Sequence, residues 1–330
     1  MDTRIRHARY RVSARHAGLR ADVYLALMAP FLSRRRLRQK IQSGESLLNG
    51  SRHGASRRLR DGDVLELVWR SAREADGASG AAPLPPLEVL FEDEHLLAVD
   101  KPAGVAVHPT GPRQSGTLVQ AVHARCREQI ERALEQGDPA FYPGLANRLD
   151  LFTSGIVLFG KRRECVAALH RAMASREVSK RYVALVCGVL EEAQGSIVAR
   201  LGPSPTSRVR IRQVVSPEGQ ECVTRFEVIE HFGSHTLLYA WPLTGRQHQI
   251  RAHLAHIGHP VWGDLIYADE ELFLRYLGSG RVLDCTLPPR QALHAERMEL
   301  EHPVTGERIR ISSPLPADFR AILDAVRRMA

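Results

Sequence analysis

Long hydrophobic runs are missing from this chain: its 330 residues nowhere approach the roughly 18 consecutive apolar positions that a membrane-crossing helix needs. The opening stretch MDTRIRHARYRVSARHAG also lacks the apolar segment of a secretory signal. A cytoplasmic protein with no membrane partner is therefore expected. Cysteine is scarce, and Cys126, Cys165, Cys187, Cys222 and Cys285 are scattered with no CxxC pair, which leaves neither a zinc knuckle nor a redox dithiol and points to buried free thiols. No P-loop, dinucleotide fingerprint, HExxH or GxSxG occurs, so the commonest nucleotide, zinc-protease and hydrolase chemistries lose their best markers.

Lysine is rarer still, at 4 of the 46 basic residues. An arginine-biased genome explains that preference but not where the charge lies. Residues 1–70 hold 16 Lys and Arg against 6 Asp and Glu, whereas residues 71–330 hold 30 against 31. Positive charge gathered at one end of a nearly neutral body suits a polyanion, since such a patch attracts phosphates and releases their counterions.

The clearest boundary is SAREADGASGAAPLPP at 71–86, where Gly, Pro and small residues replace periodic apolar positions; it is expected to be a linker. Before it, Val23, Leu25 and Leu27 precede Pro30. Ser33 is placed to cap a helix carrying Leu37 and Ile41 on one face and Arg34, Arg35, Arg36, Arg38 and Lys40 on the others, with Gly44 as its stop. SLLNG and VLELVW read as strands, with Asp61-Gly62 turning between them. After the linker, LEVLFEDEHLLAVDKPAG predicts two short strands, and Leu118, Val122, Cys126, Ile130 and Leu134 predict one helix over 118–135. A strand before a helix over 164–176, then RYVALVCGVL, IVARL, RFEVIEHF and HTLLYAWPL, mix hairpin neighbours with few helices, which favours an α+β fold.

Two stretches carry chemistry. In NRLDLFTSG, an extended chain puts Arg148 and Asp150 on one face and Leu149 on the other. A carboxylate beside a guanidinium stays ionised and can act as nucleophile or base; a structural Asp–Arg pair is the plainer alternative. In TGRQHQIRAHLAHIGHPVWGDLIYA, residues 244–268, Ile250, Leu254 and Ile257 fit the buried face of a short helix, and Arg246, His248, Arg251 and His253 gather near its start. That cluster suits a phosphate or a partner carboxylate. A zinc site built on His253, His256 and His259 is a rival, and would belong to a metal-dependent RNA hydrolase sensitive to chelators.

The blocks VDKPAGVAVHP at 99–109, RLDLFTSG at 148–155, KRYVALVCG at 180–188, TGRQHQIRAHLAHIGHPVWGD at 244–264 and LHA at 293–295 resemble, in the same order, those of the large-subunit (RluA-type) RNA pseudouridine synthases. Residues 15–70 resemble the small alpha-L RNA-binding module that often precedes that catalytic domain. The resemblance implies two domains: a small α/β module at 1–70, and a catalytic domain at 87–330 on a mixed, largely antiparallel sheet with flanking helices. It also implies uridine isomerisation with no cofactor and no metal, by a monomer acting on structured RNA, with ribosomal RNA favoured and transfer RNA possible.

By the same resemblance Asp150 is the catalytic carboxylate, Arg251 its partner, and Tyr182 the aromatic side chain against which the target base packs; core packing is the alternative for Tyr182. Arg148 is the candidate filler for the stack left by a flipped-out base, or else a structural partner of Asp150. Arg246, His248, Asn147 and Thr153 complete the expected substrate contacts. Two residues depart from the family pattern: Asn147 stands where a histidine is usual, and Phe152 where an acidic residue is usual. The competing reading is an RNA-binding or ribosome-assembly factor that keeps the fold and makes little use of its chemistry.

A chain beginning near Ala82 should fold and keep its chemistry on a short RNA, but lose affinity for the full-length substrate and much of its salt dependence, because fewer phosphates are neutralised. Binding titrations of both proteins against salt check this, and equal slopes would show that the charge segregation is irrelevant to RNA.

Overall fold

The structure, a computed structural model, describes residues 5–29, 32, 34–70, 83–110, 115–135, 141–279 and 290–329. Most of the expected linker, Ser33 with its expected cap, and Cys285 lie outside the described residues. No described helix is long and apolar enough to cross a membrane. The chain forms two compact units, one of Met1–Leu87, Val105–Gly144 and Lys161–Arg163, the other of Glu88–Gly104, Leu145–Gly160 and Glu164–Ala330.

The first unit begins with β1 (Ile5–Arg11), α1 (Ala21–Met28), α2 (Arg34–Ser43), β2 (Ser46–Leu48), β3 (Ser51–Arg52) and β4 (Val64–Arg70). The four strands pair antiparallel in the order β1-β4-β2-β3. Tyr24 and Leu25 of α1, Leu37 and Ile41 of α2, and Leu65 and Leu67 of β4 form a core drawn entirely from residues 12–67. The i, i+4 spacing of Leu37 and Ile41 puts both on one helix face, as expected. Helix α2 stops at Gly44, whose φ of +80° is open to glycine and strained for other residues.

The second unit opens with the hairpin β5 (Glu88–Glu92) and β6 (Leu96–Lys101). There follow α3 (Leu118–Arg125), α4 (Arg127–Glu135), β7 (Phe141–Leu145) and β8 (Ser154–Arg162). The single helix expected over 118–135 is two, because Cys126 leaves the helical basin at φ −85°, ψ 6°; Leu118, Val122, Cys126 and Ile130 are nonetheless buried. β6 and β8 are antiparallel neighbours, from Leu96 opposite Gly160 to Lys101 opposite Gly155. Of the chain joining them, residues 105–144 group with the amino-terminal unit instead of with the rest of the expected 87–330 span.

The remainder is α5 (Arg163–Ala174), β9 (Ser179–Cys187), β10 (Gln194–Val198), β11 (Leu201–Pro203), β12 (Gln213–Val215), β13 (Val223–Phe232), β14 (His235–Pro242), α6 (Gln249–His256), α7 (Leu265–Ala268), α8 (Glu270–Ser279), β15 (Leu293–Glu301), β16 (Arg308–Ser312) and α9 (Ala317–Met329). The main sheet runs β10-β13-β14-β9-β15-β8-β6-β5, with β16 also on β15. These neighbours are antiparallel except β15 and β8. The fold is α+β on a mixed, largely antiparallel sheet.

Alternation along β9 assigns its two faces. Ala184 and Val186 pack with Ile250 and Leu254 of α6, while Val183 and Leu185 pack with Phe319, Ile322 and Leu323 of α9. Tyr182 shares the α6 face.

The parallel contact of β15 with β8 is only two residue pairs long, His294 with Ser154 and Ala295 with Gly155. A side chain on Gly155, whose φ is +111°, would drive into the backbone of Ala295. Gly155→Ala should therefore lower stability by roughly 3 kcal/mol, the upper end of overpacking losses, as read from denaturant unfolding. A loss within error of zero would show that the junction tolerates a wider spacing.

Candidate active site

Asp150 lies in the loop that enters β8, with Leu149 buried below it and Arg148 exposed before it, as the alternation predicts. The loop is held by its backbone. The Lys101 ammonium, fully buried, donates to Leu151 O at 3.1 Å and Pro102 O at 2.9 Å, and the Gly104 N–H donates to Leu151 O at 2.9 Å. Beyond Asp150, the Arg290 guanidinium donates to Phe152 O at 3.4 Å while gripping Asp318 with two nitrogens at 2.7 and 3.1 Å. Gln291 Nε2 donates to Thr153 Oγ1 at 2.7 Å. Ser154 Oγ and His294 Nδ1 are 2.9 Å apart at the parallel junction.

The other half of the site is the turn into α6. Gln249 clamps it: Oε1 accepts from Thr244 Oγ1 at 2.8 Å and Arg246 N at 3.1 Å, and Nε2 donates to Val223 O at 2.8 Å and Thr224 Oγ1 at 3.1 Å. His248 then takes a left-handed conformation at φ 54°, uncommon for a residue other than glycine. Arg251, one turn in, projects from the helix start toward Asp150.

Arg251 Nη1 donates to Asp150 Oδ2 at 2.8 Å, and Nε and Nη2 grip Asp264 at 2.5 and 2.7 Å. The Arg251 and Asp264 side chains are 4% and 1% exposed, whereas that of Asp150 is 30% exposed; the ion pair is sealed at one end and open at the other. Burial pushes the Asp150 carboxyl up, but the Arg251 charge, with His248 and Lys101 adding to it, holds it below the usual carboxylate range. Burial pulls Arg251 down, and Asp264 and Asp150 more than reverse this, so it stays charged. Burial drops Lys101 to about 7, partly opposed by Asp150. His248 falls to about 4 through burial and the adjacent Arg251, so near neutral pH it presents an uncharged ring. Burial and the Asp150 charge push the Tyr182 phenol up, which keeps it protonated. The arrangement offers an ionised, partly open carboxylate beside a protonated phenol on the same sheet face as α6.

The guanidinium paired with Asp150 is thus that of Arg251 and not of Arg148. Thr153 is 2% exposed and bonded to Gln291, so burial takes it out of reach of a substrate. Both ends of the Asn147 amide hold β8, Oδ1 accepting from Leu158 N at 2.8 Å and Nδ2 donating to Ile156 O at 3.2 Å, a structural clamp. Arg246 is exposed, with Nε near Glu221 O at 3.4 Å. His253 is buried against Thr224 Oγ1 and Ala199 O, and the half-buried His259 has Nδ1 2.9 Å from Cys187 O; among the described residues no group of His, Cys, Asp and Glu is arranged to hold a metal.

In the basic module, Lys40 donates to Glu45 and Val68 O and Arg38 to the buried Asp22. Arg36 is exposed, and the side chains of Arg34 and Arg35 lie outside the described residues.

Sequence reasoning missed Lys101, Asp264, Tyr267, Arg290 and Gln291. Lys101 and Asp264 sit inside quoted blocks, but nothing in a linear pattern says which cation a carboxylate will meet. Tyr267 falls near the end of the stretch 244–268, where nothing in the sequence pattern singles it out.

Arg251→Met removes one member of a buried ion pair and should destabilise the protein by about 3–5 kcal/mol. Combined with Asp150→Asn in a denaturant-unfolding cycle, it should show clear coupling. Strict additivity would mean that the two side chains do not interact.

The family model for RNA pseudouridylate synthase matches residues 95–256. A ribosomal large subunit pseudouridine synthase D from Xanthomonas campestris pv. campestris is 36% identical over 99% of this chain and 94% of its own length. The Pseudomonas aeruginosa protein of the same name is 35% identical over 94% of this chain and 93% of its own length. In fold, the human RNA pseudouridylate synthase domain containing 1 matches with a TM-score of 0.54 at 23% identity, covering 73% of this chain and 95% of that one.

Proposed function

The chain belongs to the RNA pseudouridylate synthase family, as an RluA-type enzyme that isomerises uridine to pseudouridine in RNA, and from that premise we propose that Asp150 is its catalytic carboxylate and large-subunit ribosomal RNA its substrate. The observation that carries the first half is the ion pair of Arg251 with Asp150, which keeps a partly open carboxylate ionised. The names of the bacterial relatives support the second half.

The reaction breaks the bond from uracil N1 to ribose C1′, turns the base, joins C5 to C1′, and moves the C5 proton to N1, so the atoms balance without a co-reactant. An ionised Asp150 serves whether it attacks the sugar, attacks the base, or removes a sugar proton, and an amide serves none of these. Tyr182 packs against the base and holds it through the rotation. Arg148, exposed beside Asp150, fills the gap left in the RNA stack, and Arg246 meets a phosphate. His248 belongs to the carboxylate side of the site.

The module at residues 1–70 supplies non-specific RNA affinity through Arg34, Arg35, Arg36 and Arg38, while Lys40 shapes the module through Glu45. No second chain is needed, since Asp150, Arg251, Asp264, His248 and Tyr182 come from one, and a cytoplasmic monomer fits this reading. An RNA-binding factor without catalysis has no use for a half-open buried ion pair.

Asp150→Asn should abolish pseudouridine formation while leaving RNA affinity within about threefold, since shape is kept and only the charge is lost. The check is pseudouridine mapping of total RNA from a deletion strain complemented with wild type or Asp150→Asn. Restoration of the missing sites by the variant would sink the assignment of Asp150, and loss of sites outside ribosomal RNA alone would sink the substrate.

A further inference from the structure

Tyr267 has no role in the mechanism so far, yet its hydroxyl is the hub of a fixed chain of hydrogen bonds. The backbone N–H of Gln213 donates to Tyr267 Oη at 3.1 Å. On its other side that oxygen lies 3.1 Å from His248 Nδ1, and His248 Nε2 lies 3.9 Å from Asp150 Oδ2. The two rings meet edge to face at 5.8 Å, and the Arg251 guanidinium stands 5.1 Å from the centre of the phenol ring.

The direction of the chain follows from which groups can donate. A backbone N–H only donates, so Tyr267 Oη accepts from Gln213. The phenol proton is then free to donate, and His248 Nδ1 lies within reach as its acceptor at 3.1 Å. A neutral imidazole has one N–H, and with Nδ1 accepting, that proton is on Nε2. Nε2–H faces Asp150 Oδ2, the oxygen that Arg251 Nη1 already occupies. Among the described residues no donor reaches Asp150 Oδ1.

We infer that Tyr267 is a positioning residue: by donating to Nδ1 it holds His248 as the Nε2–H tautomer, so that His248 and Arg251 both face Oδ2 of Asp150 and Oδ1 is the oxygen offered to the nucleoside. The inference rests on the reading of Asp150 as the catalytic carboxylate. Without the phenol proton, His248 is free to move its hydrogen to Nδ1 and turn a lone pair toward Asp150, which repels the carboxylate and blurs its orientation. Displacement of a reacting group by a fraction of an ångström is expensive, because near-attack geometry is lost.

The test uses the full-length protein labelled with nitrogen-15 in histidine. Long-range proton–nitrogen spectra, with the His248 signals identified by their loss in His248→Gln, should show the Nε2–H tautomer in wild type and a shift toward Nδ1–H in Tyr267→Phe. Tyr267→Phe should also slow the single-turnover rate about tenfold, with RNA affinity and thermal stability little changed. The decisive comparison is made in the His248→Gln background, where an amide Nε2 donor replaces the imidazole and no tautomer is left to choose. There Tyr267→Phe should have no further effect on rate.

An unchanged tautomer and rate in Tyr267→Phe would overturn the inference, as would additive losses in the double variant, which would mean that the ring acts on Arg251 or on folding. Failure of the underlying reading is seen elsewhere, as activity in Asp150→Asn, and would leave the tautomer result standing.

Discussion

One guanidinium shared by two carboxylates organises the second unit. Arg251 is sealed by Asp264 through two bonds and reaches Asp150 through a third. Fully buried ion pairs often gain little net stability, because desolvating the charges offsets their attraction. The present one is only partly buried, and that asymmetry is its use. Asp264 satisfies the fork of the guanidinium, so Arg251 needs no second bond from Asp150. Asp150 then keeps solvent access, and its charge, on its open side.

The rest of the unit fixes where that carboxylate stands. The loop around Asp150 follows no regular ladder, so its carbonyls need donors from elsewhere. Lys101 and Gly104 supply them for Leu151, and Arg290 for Phe152. These donors come from two separate stretches of chain, 101–104 and the segment entering β15. The two-residue parallel contact of β8 with β15, permitted by Gly155, sets the strand exit immediately after the loop. Register then places Tyr182 opposite Ala295, which is opposite Gly155, and alternation turns Tyr182 toward the face that α6 covers.

Charge in the first unit has two distinct uses. Asp22, buried, is met by Arg20 and Arg38, and Lys40 by Glu45 and the Val68 carbonyl. A count of cations on a helical wheel leaves such bonds out, although they compete with any phosphate.

Much was legible in the sequence because it depended on local period and residue type. The buried positions Leu37 and Ile41 of α2, the hairpin of β5 and β6, and the exposed–buried–half-buried order of Arg148, Leu149 and Asp150 all follow from alternation or helical spacing. Ordered motifs also singled out Asp150 and Arg251, 101 residues apart. Tertiary structure alone decided the partners. Arg148 is the nearer cation in sequence, but the fold gives Asp150 the guanidinium of Arg251. Asn147 and Thr153 stand within three residues of the carboxylate yet face inward to bond β8 and Gln291. Lys101, Tyr267 and Arg290 act through hydroxyls, ammoniums and carbonyls whose meeting needs several separate chain segments to converge. A one-dimensional pattern records the period of each segment, but not the distances between segments on which hydrogen bonds and ion pairs depend.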